Sequence, residues 1–413
     1  MVPLRGLQLL SLPDELLLQI VAFLEPLSII TLHHTCTRLR ALTRSNAALW
    51  RNQCIKQAFI DSNPENCPQW NRAEELELVI DTWPHNDIDW PDDGSGPVRK
   101  VVTFFKPLRA QYRTMSEIYP ACTLRQKVKV ALCQFAAGTN KQANLNKASE
   151  LVGQAVKNDA KIVVLPECFN SPYGTSHFAN YAEAIPEHPT EEQSPTFHHL
   201  SSLALQHKIY LFGGSIPEAD LEDPGKYYNT CLIFGPDGNF ITKHRKVHLF
   251  DIDIPNEMTF KESDVLSPGK HITMVNTTYG PVAVGICYDI RFAEMAMVAA
   301  RRGAALLLYP GAFSKFTGEM HWELLARARA VDNQIFVGVC SPARAEEGYV
   351  AWGESMLVDC KGRVMSKAGT GEEIVYAELD PENMENTRTH IPIRTQRRME
   401  VYGDMMKVVP TEV

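Results

Sequence analysis

The chain reads as an α/β protein that carries a small all-α module near its N-terminus. From Lys127 onward, β-branched apolar runs alternate with stretches of helical periodicity, the pattern of an α/β domain with a covered sheet. Residues 9–59 are leucine-rich instead, with apolar residues at three- and four-residue steps. Between them, residues 60–124 change character. Their acidic stretch at 81–96 is dense in turn formers and reads as a loop or connector.

Each element has its own cue. Leu12-Pro13-Asp14-Glu15 places a proline and an acid pair where a helix prefers to start, and Leu16, Ile20, Phe23 and Leu24 continue one apolar face. Pro26 ends that helix; Leu32, Cys36, Leu39 and Leu42 carry a second, and Ala47 opens a third segment. Residues 99–115 read as a helix with aromatics. In the α/β region, strands are expected at 128–134, 161–166, 208–214, 229–235, 282–287, 304–309, 334–340 and 354–359. Helices are expected at 142–158, 194–207, 292–302 and 321–332.

With 413 residues, 45% hydrophobic and 22% charged, the chain fits two globular domains. Its net charge of −8 argues against nucleic-acid binding, because neutralising phosphates needs a basic surface. No apolar run reaches the length of a membrane span, and no secretory signal pattern opens the chain. The 10 cysteines form no CxxC pair and the histidines no HExxH, so a zinc site has no support. Reduced thiols in a cytoplasmic protein are expected.

One of those thiols stands out. Val282-Ala283-Val284-Gly285-Ile286-Cys287-Tyr288-Asp289-Ile290-Arg291-Phe292 reads as a buried strand that delivers Cys287 at its carboxyl end, where α/β sheets place their chemistry. Lys161-Ile162-Val163-Val164-Leu165-Pro166-Glu167 likewise stops on a carboxylate, and His244-Arg245-Lys246-Val247-His248 sets a lysine before apolar neighbours. Amide hydrolysis through cysteine needs a nucleophile, a base that later returns its proton, and a donor for the developing oxyanion. Cys287, Glu167 and Lys246 match those jobs in type, with the Tyr288 N–H as a second oxyanion donor. Taken singly, each has a plainer reading: a structural thiol, a residue past a strand end and a solvated basic patch; Asp289 and Arg291 likewise read as an ion pair stiffening the turn.

Together, Leu165-Pro166-Glu167-Cys168-Phe169, Tyr228-Asn229-Thr230, Arg245-Lys246-Val247-His248, Gly285 to Arg291, Tyr309-Pro310-Gly311-Ala312-Phe313 and Ser341-Pro342-Ala343-Arg344 resemble the nitrilase superfamily, and within it the ω-amidase branch. The resemblance spans about residues 125–405. It implies a four-layer α-β-β-α sandwich and acyl-enzyme chemistry with no cofactor. It also implies a homodimer and a second glutamate near the lysine, here Glu262. Tyr173, Phe250 and Tyr288 are candidates for lining the substrate pocket. The implied substrates are short dicarboxylic monoamides such as α-ketoglutaramate and α-ketosuccinamate. Asn256-Glu257-Met258 departs from the glycine-containing turn usual in that branch, so the loop between Lys246 and Glu262 is expected to differ in shape.

Ser11-Leu12-Pro13 through Leu49-Trp50 resembles an F-box. That resemblance implies that Leu12, Pro13, Leu16, Ile20 and Ile29 bury against the adaptor subunit of an SCF ubiquitin ligase, as an amphipathic helix fills a groove. Two functions therefore stand side by side. One is an amidase tethered by its F-box. The other is a ligase receptor that uses the nitrilase-like domain as a recognition platform.

Overall fold

The computed structural model describes residues 123–255, 258–345 and 348–398. The F-box-like module at 9–59, all but the last residues of the connector at 60–124, and the loop residues Asn256 and Glu257 lie outside them.

The first half of the described region runs β1 (Val128–Gln134), α1 (Lys141–Lys157), β2 (Ile162–Val164), α2 (Thr175–Tyr181), β3 (Glu183–Ala184), α3 (Pro195–His207), β4 (Tyr210–Phe212), β5 (Ile216–Ala219), β6 (Tyr227–Phe234) and β7 (Phe240–Arg245). A short hairpin, β8 (Asp251–Ile254) with β9 (Met258–Lys261), leads to β10 (Thr273–Thr277), β11 (Gly280–Val284), α4 (Ala293–Arg301), β12 (Leu306–Pro310), α5 (Lys315–Asn333) and β13 (Phe336–Cys340). The region closes with β14 (Met356–Val358), β15 (Val364–Lys367), β16 (Glu373–Leu379), α6 (Pro381–His390) and a short α7 (Ile393–Gln396).

The strands form two main sheets. The first has the order β16-β1-β2-β4-β6-β5-β3, with β7 also on β6; the second runs β10-β11-β12-β13-β14-β15. Each is built on a parallel core, β1-β2-β4 in one and β11-β12-β13 in the other. Period-two alternation sends successive side chains of one strand to different layers. Val130, Leu132, Ile162, Val164, Tyr210 and Phe212 meet Val282, Val284, Leu306, Leu308 and Phe336 between the sheets. The intervening Ala131, Cys133, Val163 and Leu211 pack on Leu145, Leu151 and Val152 of α1 and Leu200 and Leu203 of α3. Ala296 and Ala299 of α4 and Trp322, Ala326 and Ala330 of α5 cover the second sheet. The result is the four-layer α-β-β-α sandwich.

Capping sets the helix starts. Asn140 accepts the Ala143 N–H at 3.0 Å ahead of α1, and Ser314 accepts the Thr317 N–H at 3.2 Å ahead of α5. That second cap starts α5 at Lys315, six residues before the expected start at 321. The exposed Phe316 and Met320 had broken the amphipathic pattern there. The strand expected at 282–287 stops at Val284, and Cys287 opens a 3₁₀ turn that runs to Arg291. The second sheet also has strands the sequence did not suggest, β10 and β15, both half-exposed at its edges.

Candidate active site

The site assembles where strands end. β2 leads through Leu165-Pro166 to Glu167, β7 leads directly to Lys246, and β11 leads to the Cys287 turn. The structure brings Glu167, Lys246, Glu262 and Cys287 together, and all four are at least 97% buried. Lys246 Nζ donates to Glu262 Oε1 at 2.8 Å and to Glu167 Oε1 at 3.2 Å. The Cys287 thiol lies beside the Glu167 carboxylate, near enough for each to shift the other's protonation.

Glu167 is held from every side. Asn229 Nδ2 donates to Oε1 at 2.8 Å and the Ala312 N–H donates to Oε2 at 2.6 Å. Glu262 is fixed in the same way: the Phe250 N–H reaches Oε2 at 2.8 Å and the Tyr173 hydroxyl reaches Oε1 at 3.3 Å. The residue before Ala312, Gly311, lies against the Cys287 backbone. A Cβ there would stand 3.0 Å from Cys287 Cα, tighter than ordinary packing allows.

The charges decide what the cluster can do. Burial works against the Lys246 ammonium, but the carboxylates of Glu167 and Glu262 outweigh it and hold its pKa well above the ordinary value. Burial pushes Glu167 up; Lys246 opposes that push and Glu262 adds to it. Burial drives the Cys287 thiol well up, and the Glu167 charge beside it adds to that push against Lys246. Cys287 is therefore a protonated thiol beside a carboxylate, unlike cysteines stored as thiolates.

Phe250, Tyr288 and Tyr173 stand at the site as aromatic walls. The Phe250 ring lies 5.2 Å from that of Tyr288, and the Tyr173 ring stacks on Phe260 at 6.1 Å. Several residues that the sequence reading did not single out complete the site. Tyr349 packs its ring 4.4 Å from that of Tyr173 and donates its hydroxyl to the Ala312 carbonyl at 2.6 Å. Asn229 lay inside a quoted motif, which was the available signal for it. The ion pair considered between Asp289 and Arg291 does not form. Asp289 binds His244 and His248, while Arg291 donates to His321 Nδ1 at 3.1 Å. The Arg291 guanidinium lies 5.5 Å from the Tyr288 ring and 4.9 Å from the Phe313 ring, and its Nε is buried with no hydrogen-bond partner among the described residues. No group of His, Cys, Asp and Glu among the described residues is arranged to hold a metal ion.

The model of the carbon-nitrogen hydrolase family matches residues 129–389. The chain belongs to that family. The hydrolase region is 52% identical over 286 residues to omega-amidase NIT3 of Saccharomyces cerevisiae, covering 68% of this chain and 97% of that protein. It is likewise 52% identical over 275 residues to omega-amidase NIT2 of Mus musculus, covering 66% of this chain and 96% of that one. The crystal structure of Saccharomyces cerevisiae Nit3, a member of branch 10 of the nitrilase superfamily, superposes with a TM-score of 0.62 at 49% identity. It covers 67% of this chain and 98% of that one. The Caenorhabditis elegans NitFhit protein superposes with a TM-score of 0.61 at 29% identity, covering 68% of this chain and 67% of that one. Ahead of the hydrolase, an F-box-like model matches residues 9–56.

Proposed function

We propose that the chain hydrolyses the terminal amide of short dicarboxylic monoamides through a Cys287 acyl-enzyme, and that its F-box tethers this activity to an SCF ubiquitin ligase. The observation that carries the chemistry is the buried contact of one thiol, one ammonium and two carboxylates. Cys287 Sγ attacks the amide carbonyl as Glu167 takes the thiol proton. The oxyanion is met by the Lys246 ammonium and the Tyr288 N–H. Glu167 passes its proton to the leaving nitrogen, ammonia departs, and a thioester remains on Cys287. Water then attacks with Glu167 again as base, the thiol is regenerated, and the carboxylic acid leaves. Glu262, bonded to Lys246 Nζ, keeps the ammonium in place.

Two observations support the substrate class. Arg291 is a half-buried cation close to Cys287, and among the described residues no carboxylate pairs with it. An amide substrate with a distal carboxylate supplies that partner, and Tyr173, Phe250 and Tyr288 would enclose its short carbon chain. The relatives at about half identity are named omega-amidases. α-Ketoglutaramate and α-ketosuccinamate are the substrates of choice.

The recognition-platform alternative is the weaker account of the same site. A buried ammonium with two carboxylates carries a desolvation cost that surface recognition has no use for. We assign residues 9–59 to the F-box, 60–124 to the linker and 125–405 to the hydrolase domain, which acts in the cytoplasm as a homodimer. Ammonia release from a panel of short amides tests the enzyme, with turnover of dicarboxylic monoamides in wild type and none in Cys287→Ala. Turnover of neutral amides alone would overturn the substrate class. Replacing Leu16 and Ile20 with Asp should abolish capture of the purified SCF adaptor and leave hydrolysis intact. Undiminished capture would overturn the tether.

A further inference from the structure

We propose that Asp289 is a positioning residue for the reaction, a single carboxylate that fixes the Cys287 turn against the Lys246 segment. The inference rests on the reading that Cys287 and Lys246 are the reacting pair, and it concerns how two segments on different sheets are kept in register.

Asp289 is fully buried and lies two residues after the nucleophile. Its Oδ2 accepts the Ile286 N–H at 2.8 Å, and its own N–H donates to the Ile286 carbonyl at 3.0 Å. Side chain and backbone thus close the same turn around Cys287. Cys287 needs that closure, because its φ of 48° is the left-handed region that a side chain with a Cβ seldom occupies.

The same carboxylate also holds the other segment. Oδ1 accepts the His248 N–H at 2.9 Å and the His248 Nδ1 at 2.7 Å, and Oδ2 accepts His244 Nε2 at 3.2 Å. The two histidines flank Lys246 at two residues on either side. Their outer contacts pin them further: His244 Nδ1 lies 3.0 Å from the Thr273 hydroxyl, and the His248 ring stacks 3.6 Å from Phe292. The Lys246 backbone is anchored separately, its N–H to the Asn229 carbonyl at 2.8 Å and its carbonyl to the Gly269 N–H at 2.7 Å. Lys246 therefore has a fixed main chain on the first sheet, and Asp289 ties the second sheet's nucleophile turn to it.

Only a carboxylate suits this place. Backbone and imidazole donors converge on two oxygens, and an ionised Asp is acceptor-only. An Asn of nearly the same size would turn an NH₂ toward one of those donors. Burial works against the charge, but bonds from His244 and His248 outweigh it and keep the group ionised. A displacement of about 1 Å between reacting groups costs on the order of a hundredfold in rate, so a lost tie of this kind is read in turnover.

The test compares Asp289→Asn, His248→Ala and His248→Asn in the full-length chain. An Asn at 248 can offer its amide where the imidazole offered Nδ1, whereas Ala offers nothing. Asp289→Asn should lower kcat by about thirtyfold or more and shift KM by less than about threefold, with the circular dichroism of wild type. His248→Ala should lower kcat severalfold and His248→Asn should restore most of it. Wild-type kcat in Asp289→Asn overturns the proposal, and so does a loss that matches only the unfolded fraction. If Asp289→Asn does not fold, the His248 pair decides: equal kcat in the Ala and Asn variants overturns it. Should Cys287→Ala itself retain turnover, the reading of the reacting pair fails first. If Cys287→Ala is dead and the Asp289 and His248 variants are unimpaired, the positioning role alone fails.

Discussion

Two cysteines sit at the ends of parallel strands, one in each sheet, and they are nearly twins. Cys168 follows β2 and Cys287 follows β11; their φ angles are 52° and 48°, and both are buried. Burial drives both thiols well above the ordinary pKa, and the charges of Glu167, Lys246 and Glu262 reach both. Their neighbours differ. Cys168 packs among Phe178 and Leu266 and its N–H is held by the Ser215 hydroxyl, whereas Cys287 lies beside the Glu167 carboxylate. Backbone strain, burial and thiol pKa therefore do not tell the two apart; under the proposed chemistry, nearness to the Glu167 carboxylate does.

That comparison can be broken in several ways. Cys287→Ala should reduce ammonia release by about a thousandfold or more, as loss of a nucleophile does. Residual activity above about one percent of wild type would place the chemistry elsewhere. Glu167→Gln should fall nearly as far. The same glutamate should set the acid limb of kcat/KM. Glu167 accepts a proton only while ionised, and burial raises its pKa above 4.5, so activity should fall with pH through a midpoint above that value. A profile that stays flat down to pH 4.5 would take Glu167 out of the base role.

Arg291→Met should raise KM for monoamides with a distal carboxylate by about tenfold to a hundredfold, the scale of a lost charge-assisted bond, and leave neutral amides unaffected. An equal effect on both substrate types would remove Arg291 from carboxylate binding. The smallest effect is expected at the other cysteine. Cys168→Ala should cost about 1 kcal/mol of stability by leaving a small cavity, with kcat within about threefold of wild type. A loss of turnover comparable to Cys287→Ala would erase the distinction between the two sites.

The sequence foretold these features unevenly, for physical reasons. Strands buried on both faces, such as β12 with Leu306, Leu307 and Leu308, leave a continuous apolar run that is easily read. Short strands leave little: β5 is Ile216-Pro217-Glu218-Ala219, whose proline and glutamate argue against a strand. The glutamate is nonetheless buried there against Arg245 and Lys243. Glu167, Lys246 and Cys287 were legible because side-chain chemistry leaves a mark in the sequence. The Ala312 N–H on Glu167 leaves none, since any residue but proline offers that group. Cys287 looked like the last residue of a strand. In the structure the strand ends at Val284, and the Ile286 N–H beyond it is taken by the Asp289 carboxylate. The pairing of Asp289 with histidines instead of Arg291 was equally out of reach, since it joins residues more than forty positions apart.

The most direct measurement is the intact mass of the protein quenched during turnover of α-ketoglutaramate, followed by peptide mapping. The acyl adduct, substrate minus ammonia, should appear on the peptide containing Cys287 and nowhere else. An adduct on Cys168 would contradict the account, and so would sustained turnover by the Cys287→Ala protein.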